Sequence, residues 1–211
     1  MVTQIYYVHF YLSYVLQVFI FLVNRLGQMS RLFAAYSRCL SKWPLGTQML
    51  SAGVIGTCGD GFCQFAVERK SLKEYDVGRG IRFFVLPAFY IAPILSRWFR
   101  VLERVGGNPK TLPLKRVLID QAFFAPPFSA SIIFNLHLLQ GSSLKESYRK
   151  LKNQFIDIYK RSITYWPIVQ LINFYIIPLN MRVIVVQLAA LFWNSFLSYK
   201  TNRPGTIPPL E

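Results

Sequence analysis

The residues of this chain best equipped for chemistry are acids and amides set inside apolar runs. Asp60 and Gln64 lie one helical turn apart, so both project from one helix face. Asp120 and Gln121 open another apolar run, and Gln170 and Asn173 follow Trp166 at i, i+4 and i+7 spacing. Asn194 belongs to a further polar stripe with Gln187 and Ser198. An ionised Asp at mid-bilayer costs about 2.5 to 3.5 kcal/mol, so Asp60 needs water or a cation. Arg79, Arg82, Arg97 and Arg182 are its candidate charge partners. Amides at these spacings suit the lining of an aqueous path. They suit hydrogen bonds between helices equally well, at about 0.6 to 2 kcal/mol each.

Catalytic and cofactor motifs do not accompany these residues. No nucleophile elbow or phosphate-cradling glycine loop is present, and Gly59-Asp60-Gly61 falls inside an apolar run rather than between strand and helix. Cys39, Cys58 and Cys63 lack metal-ligand spacing, and His9 and His137 lie far from them in sequence, so no metal or cofactor is expected. The chain is therefore not read as an enzyme.

The elements that must carry these residues are long and apolar. The 211 residues are 53% hydrophobic and 16% charged, well below the charge of a soluble average. The formal charge of +15 would suit nucleic acid, but no recognition module accompanies it. The basic residues lie between the apolar runs instead, as in loops that border anionic headgroups. The runs are residues 5–23, 45–67, 83–96 with amphipathic flanks, 121–139 and 163–198, the last long enough for two passes or for one pass plus an interfacial helix. Residues 144–159 read as a basic amphipathic helix. Small residues in the second run, such as Ala52/Gly56, Gly53/Thr57 and Gly59/Cys63, recur every fourth position and let neighbouring helices approach closely. Pro87, Pro93, Pro126, Pro127, Pro167 and Pro178 predict kinks.

The expected fold is an all-α, multi-pass transmembrane helix bundle of about four core helices, with an extra N-terminal helix in question. Residues 1–28 form a hydrophobic extension, 29–203 the bundle and 204–211 a disordered tail. Met29 begins a second start, followed by a basic, acid-free segment of the mitochondrial targeting kind.

Several motifs resemble one family. They are Gly59-Asp60 with Gln64, Asp120-Gln121 with Pro126, the run from Trp166-Pro167-Ile168-Val169-Gln170 through Asn173-Phe174, and Trp193-Asn194-Ser195-Phe196-Leu197-Ser198. With Asp76, Arg79 and the Trp98 region, these resemble the Mpv-seventeen and peroxisomal-membrane-protein family of small multi-pass organelle proteins. The resemblance covers roughly residues 29–203 and is nearest to members of the mitochondrial inner membrane; other members are peroxisomal. It implies a non-selective channel that affects membrane potential, reactive-oxygen handling, mitochondrial deoxynucleotide supply and mitochondrial DNA maintenance. Residues 1–28 have no counterpart in the family pattern, and Ser162 or Ile163 stands where many members carry an aromatic.

The leading expectation is a pore in which Asp60, Gln64, Asp120, Gln121, Gln170, Asn173 and Asn194 line a wet path, with the lipid bilayer, further copies of the chain and small solutes or ions as partners, and no nucleic acid. A non-conducting scaffold or assembly factor is the alternative, and a small-metabolite transporter a third. A pore requires a continuous polar lumen, whereas a scaffold requires polar groups satisfied by one another.

Overall fold

A computed structural model describes residues 30–177 and 182–202. The hydrophobic run at 5–23, Pro178 and the tail at 204–211 lie outside the described residues. The first unit of the chain, Met1–Pro44, contributes helix α1 (Ser30–Lys42). The second, Leu45–Glu211, holds every candidate site residue. Its long helices are α2 (Pro44–Phe62), α3 (Val77–Glu103), α4 (Leu112–Leu139), α5 (Leu144–Tyr175) and α6 (Arg182–Asn202).

Local sequence sets the helix ends. Asp76 caps α3 by accepting from Arg79 N at 2.9 Å, and Ser143 caps α5 by accepting from Glu146 N at 3.2 Å. Gly141, at φ 86°, supplies the left-handed turn after α4 that residues with a Cβ avoid. Three π turns interrupt the rods, at Cys63–Val67 after α2, Pro87–Ile91 in α3 and Asp120–Phe124 in α4. Prolines begin the second and follow the third at Pro126 and Pro127, where missing N–H groups leave carbonyls of the preceding turn without helical donors.

Consecutive helices of the second unit run antiparallel. Gly53 meets the Phe84 ring while Asp60 meets Arg79, placing α2 against α3 in opposite directions. Tyr90 stacks with Phe128, and Trp98 with Phe124 at 4.5 Å, between α3 and α4. Gln154 meets His137 and Gln170 meets Asp120 between α4 and α5. Asp157 meets Lys200, and Tyr165 stacks with Trp193, between α5 and α6. The bundle thus has five rods, because the apolar stretch at 163–198 folds back on itself as two helices. An apolar core of Phe83, Leu86, Ile133, Leu136, Ile158 and Leu197 fills its middle.

Two of the rods, α3 and α4, are long and apolar enough to cross a membrane. Only 39% and 28% of their apolar windows are buried within the chain. The core helix of a soluble protein would be mostly covered. Ile81, Phe89, Leu118 and Phe123, each more than half exposed, are the surface that lipid covers.

Close approach of α2 depends on its glycines. A Cβ at Gly56 would collide with the Phe83 carbonyl oxygen, and one at Gly59 would stand 2.6 Å from the Leu191 carbonyl oxygen. Gly61 has open space in the same direction. Gly56→Ala and Gly59→Ala are therefore expected to destabilise the bundle by about 1 to 3 kcal/mol each. Gly61→Ala should be neutral or stabilise by up to about 1 kcal/mol. Unfolding in mixed detergent micelles checks the contrast.

Candidate functional site: two polar clusters at opposite ends of the bundle

The sequence-predicted residues assemble into two groups. The first surrounds Asp60, which is fully buried at the C-terminal end of α2. Arg79, one turn into α3 and 3% exposed, places Nε 2.6 Å from Asp60 Oδ1. The rest of its guanidinium is also engaged. Nη1 and Nη2 donate to the two Glu68 carboxylate oxygens at 2.9 and 2.8 Å, a bidentate fork. Nη2 also donates to Ser198 Oγ at 2.7 Å and to Cys63 Sγ at 3.3 Å. The Ser198 hydroxyl, from α6, donates in turn to Asp60 Oδ1.

Gln64 completes the Asp60 side. Its Nε2 donates to Asp60 Oδ2 at 2.8 Å and to the Asp76 carbonyl at 3.2 Å, while Asp76 N donates to its Oε1 at 2.8 Å. Lys70 lies 3.3 Å from Glu68 and donates to Gln64 Oε1 at 3.3 Å. Asp60 and Glu68 therefore face Arg79 and Lys70, and the formal charges cancel. The chain between α2 and α3 reaches this position by reversing at Arg69, which adopts a left-handed φ of 57°. Burial pushes the Glu68 carboxyl up, but hydrogen bonds and charge from Arg79 and Lys70 outweigh it and hold its pKa below the ordinary glutamate range.

The second group surrounds Asp120, 6% exposed at the π turn of α4. Trp98 Nε1 from α3 donates to its Oδ1 at 2.6 Å. Gln121 Nε2 donates to Oδ2 at 2.9 Å, and Gln170 Nε2 from α5 reaches Oδ2 at 3.5 Å. All three donors are neutral, and no ion pair reaches Asp120 among the described residues. Two acceptors near this level remain unsatisfied: Gln121 Oε1, and Oδ1 of Asn173, which follows Gln170 by about one turn. Both oxygens are buried.

The two groups sit at opposite ends of the bundle. Arg79 and Trp98 lie on the same rod, separated by about 28 Å at 1.5 Å per residue. That distance is close to the hydrocarbon thickness of a bilayer, about 30 Å. Asp60 accordingly lies towards one end of the bundle, and Asp120 lies towards the other. The apolar core occupies the interval. The predicted residues do not converge on one path in this structure.

The remaining candidates separate from both clusters. Asn194, buried on α6, packs its Cβ against Gly59. Arg82 lies 3.6 Å from Asp76 at the rim of the first cluster. Arg97 is exposed near the other end of α3 and forms no ion pair among the described residues. Arg182 begins α6, and its side chain lies outside the described residues. Sequence reasoning missed Glu68 as the second carboxylate on Arg79 and Trp98 as the donor to Asp120. It also missed His137, buried with its two ring nitrogens 2.8 and 3.0 Å from the Gln140 and Gln154 side-chain oxygens. Spacing offered a signal only for His137 and Gln140, which stand at i and i+3, since the other contacts arise through tertiary packing.

A bundle with apolar outer faces and ionic groups held inside defines a helical integral membrane protein. Comparison with known proteins specifies which kind. The Mpv17 / PMP22 family profile matches residues 137–198. The mitochondrial inner membrane protein Mpv17 of Caenorhabditis briggsae is 45% identical over 84% of this chain and 97% of its own length. The Caenorhabditis elegans protein of the same name is 45% identical over 79% and 91%, and the human one 38% identical over 82% and 98%. No solved structure matches. The chain belongs to the Mpv17 / PMP22 family, and it is a protein of the mitochondrial inner membrane.

Removing Arg79 would leave two carboxylates facing each other without their fork. Arg79→Ala is expected to destabilise the protein by about 3 to 5 kcal/mol, and Arg79→Lys should recover little because a point charge cannot span the same partners. Thermal unfolding in detergent checks both. The depressed Glu68 pKa adds a pH test. Its stabilisation is fully present above the unfolded glutamate pKa near 4.5 and is lost as pH falls through the lower folded value. Acid unfolding of the native protein should show this loss, and Glu68→Gln should flatten it.

Proposed function

We propose that this chain is a non-enzymatic, non-selective conduit for small solutes and ions across the mitochondrial inner membrane, with the Asp120 cluster at one mouth. In this reading all five rods of the second unit cross the bilayer, and further copies of the chain assemble around the path. The observation that carries the proposal is the Asp120 carboxylate, buried among neutral donors while oxygens of Gln121 and Asn173 stay unpaired. Buried acceptors without donors are rare, and a carboxylate without a cation is costly in a membrane. Water or a passing cation supplies the missing partner.

The packed core corresponds to the closed form, and opening separates the rods that Phe83, Leu86 and Ile133 now hold together. The family resemblance links such a conduit to membrane potential, reactive-oxygen handling, deoxynucleotide pools and mitochondrial DNA maintenance. A scaffold or assembly role is a second reading, favoured by the completeness of the Asp60 cluster, in which every carboxylate oxygen has a partner.

Conductance of the purified protein in planar bilayers separates the two readings. The conduit reading expects currents above the lipid baseline, carried by ions of either sign. Asp120→Lys should shift the reversal potential towards anions, with a several-fold change in the permeability ratio as the charge at the mouth is inverted. Absence of current from folded protein, or an unchanged reversal potential in Asp120→Lys, would contradict it.

A further inference from the structure

The two ends of the bundle differ in how many acids accompany their cations. At the Asp60 end, Glu68, Asp76, Glu146 and Asp157 are each within ion-pair distance of a lysine or arginine, while the exposed Arg69, Lys73, Lys145 and Lys152 form no ion pair among the described residues. At the other end, the turn joining α3 to α4 is flanked by Arg97, Arg100, Arg104, Lys110, Lys115 and Arg116, with Glu103 the one acid among them. None of these six cations forms an ion pair among the described residues. Lys115 and Arg116 are used internally. Lys115 Nζ donates to the Gly106 carbonyl at 3.2 Å, and Arg116 Nη2 donates to the Glu103 and Val105 carbonyls at 2.9 and 3.3 Å, which fastens the turn. Arg97, Arg100 and Arg104 follow i, i+3, i+7 spacing and so form one exposed stripe at the end of α3, with Arg100 Nε donating to the Ser96 carbonyl at 3.2 Å, and Lys110 stands exposed at the turn.

From this contrast we infer that the α3–α4 turn is a binding surface for anionic phospholipid headgroups in one leaflet of the membrane. Charge complementarity gives the sign of the partner, since four exposed cations without carboxylates await phosphate. Hydrocarbon side chains identify the partner as lipid rather than free phosphate. Phe99, Val101, Leu114 and Leu118 are 44 to 61% exposed and interleave with the cations, so phosphate and acyl chain are matched side by side. Position agrees, because this turn connects the two rods that are long and apolar enough to cross a membrane. The Arg and Lys stems lie along hydrocarbon while their heads reach the phosphate plane. The inference is independent of whether the bundle conducts.

Native mass spectrometry and hydrogen exchange of the full chain test it, in phosphatidylcholine nanodiscs with and without diphosphatidylglycerol. Retention of the anionic lipid, and slowed exchange of residues 104–111 in its presence, are expected. The combined Arg97→Gln, Arg100→Gln, Arg104→Gln variant should bind that lipid roughly 100-fold more weakly, and Lys110→Gln alone about fivefold. Lys145→Gln with Lys152→Gln, at the other end, should leave exchange of the turn unchanged. Undiminished lipid retention in both turn variants would overturn the inference. So would equal protection of the turn by millimolar inorganic phosphate in phosphatidylcholine alone, which would mark a site for free anions.

Discussion

One buried guanidinium organises this bundle. Asp60 is a carboxylate in an apolar helix, and a lone ion there would carry a desolvation penalty of several kcal/mol. Arg79 offsets that penalty by contacting Asp60, Glu68, Cys63 and Ser198 at once. Those partners come from α2, its π turn, the segment before α3, and α6. The contact therefore ties the first and last rods of the second unit to a single side chain on α3. Geometry this crowded requires helix axes closer than ordinary side chains allow, and Gly53, Gly56 and Gly59 supply that closeness. The small residues and the ion cluster are two aspects of one packing solution.

The far end of the bundle is organised more loosely. Among the described residues Asp120 has donors but no cation, and two buried oxygens at Gln121 and Asn173 have no donor. The aromatic stack of Trp98, Phe124, Phe128 and Tyr90 runs from this cluster towards the apolar core. The bundle is thus closed by charge pairing at one end and under-satisfied at the other. The π turn at Asp120–Phe124, followed by Pro126 and Pro127, places weakened helical hydrogen bonding at that same end.

Much of this architecture was legible in the sequence, and what was not had tertiary causes. Apolar run lengths gave the helices, and prolines marked where they deform. Residues 163–198 were long enough for two passes or for one pass plus an interfacial helix, and they fall on two helices, one ending at Tyr175 and the next beginning at Arg182. Asp60, Gln64 and Arg79 were identifiable because an acid in an apolar run demands a partner. Glu68 was hidden because it sits beyond the run, in a segment that resembles an ordinary polar loop until Arg69 turns it back. Depth was hidden too. Asp60 lies mid-run in sequence, yet the π turn and the returning loop bring charged residues down to it, so its level is near one end of the bundle. Spacing along a helix shows which side chains share a side, not how high a neighbouring helix stands against them.

The Asp60–Arg79 pair is the central contact of the bundle, and a double-mutant cycle measures it directly. Asp60→Asn, Arg79→Gln and the double variant would be unfolded reversibly in mixed micelles and compared with the native protein. A coupling energy of about 2 kcal/mol or more, with the double variant more stable than the Arg79→Gln single, is the predicted result. Additive effects, with coupling near zero, would show that the buried pair does not hold the bundle together.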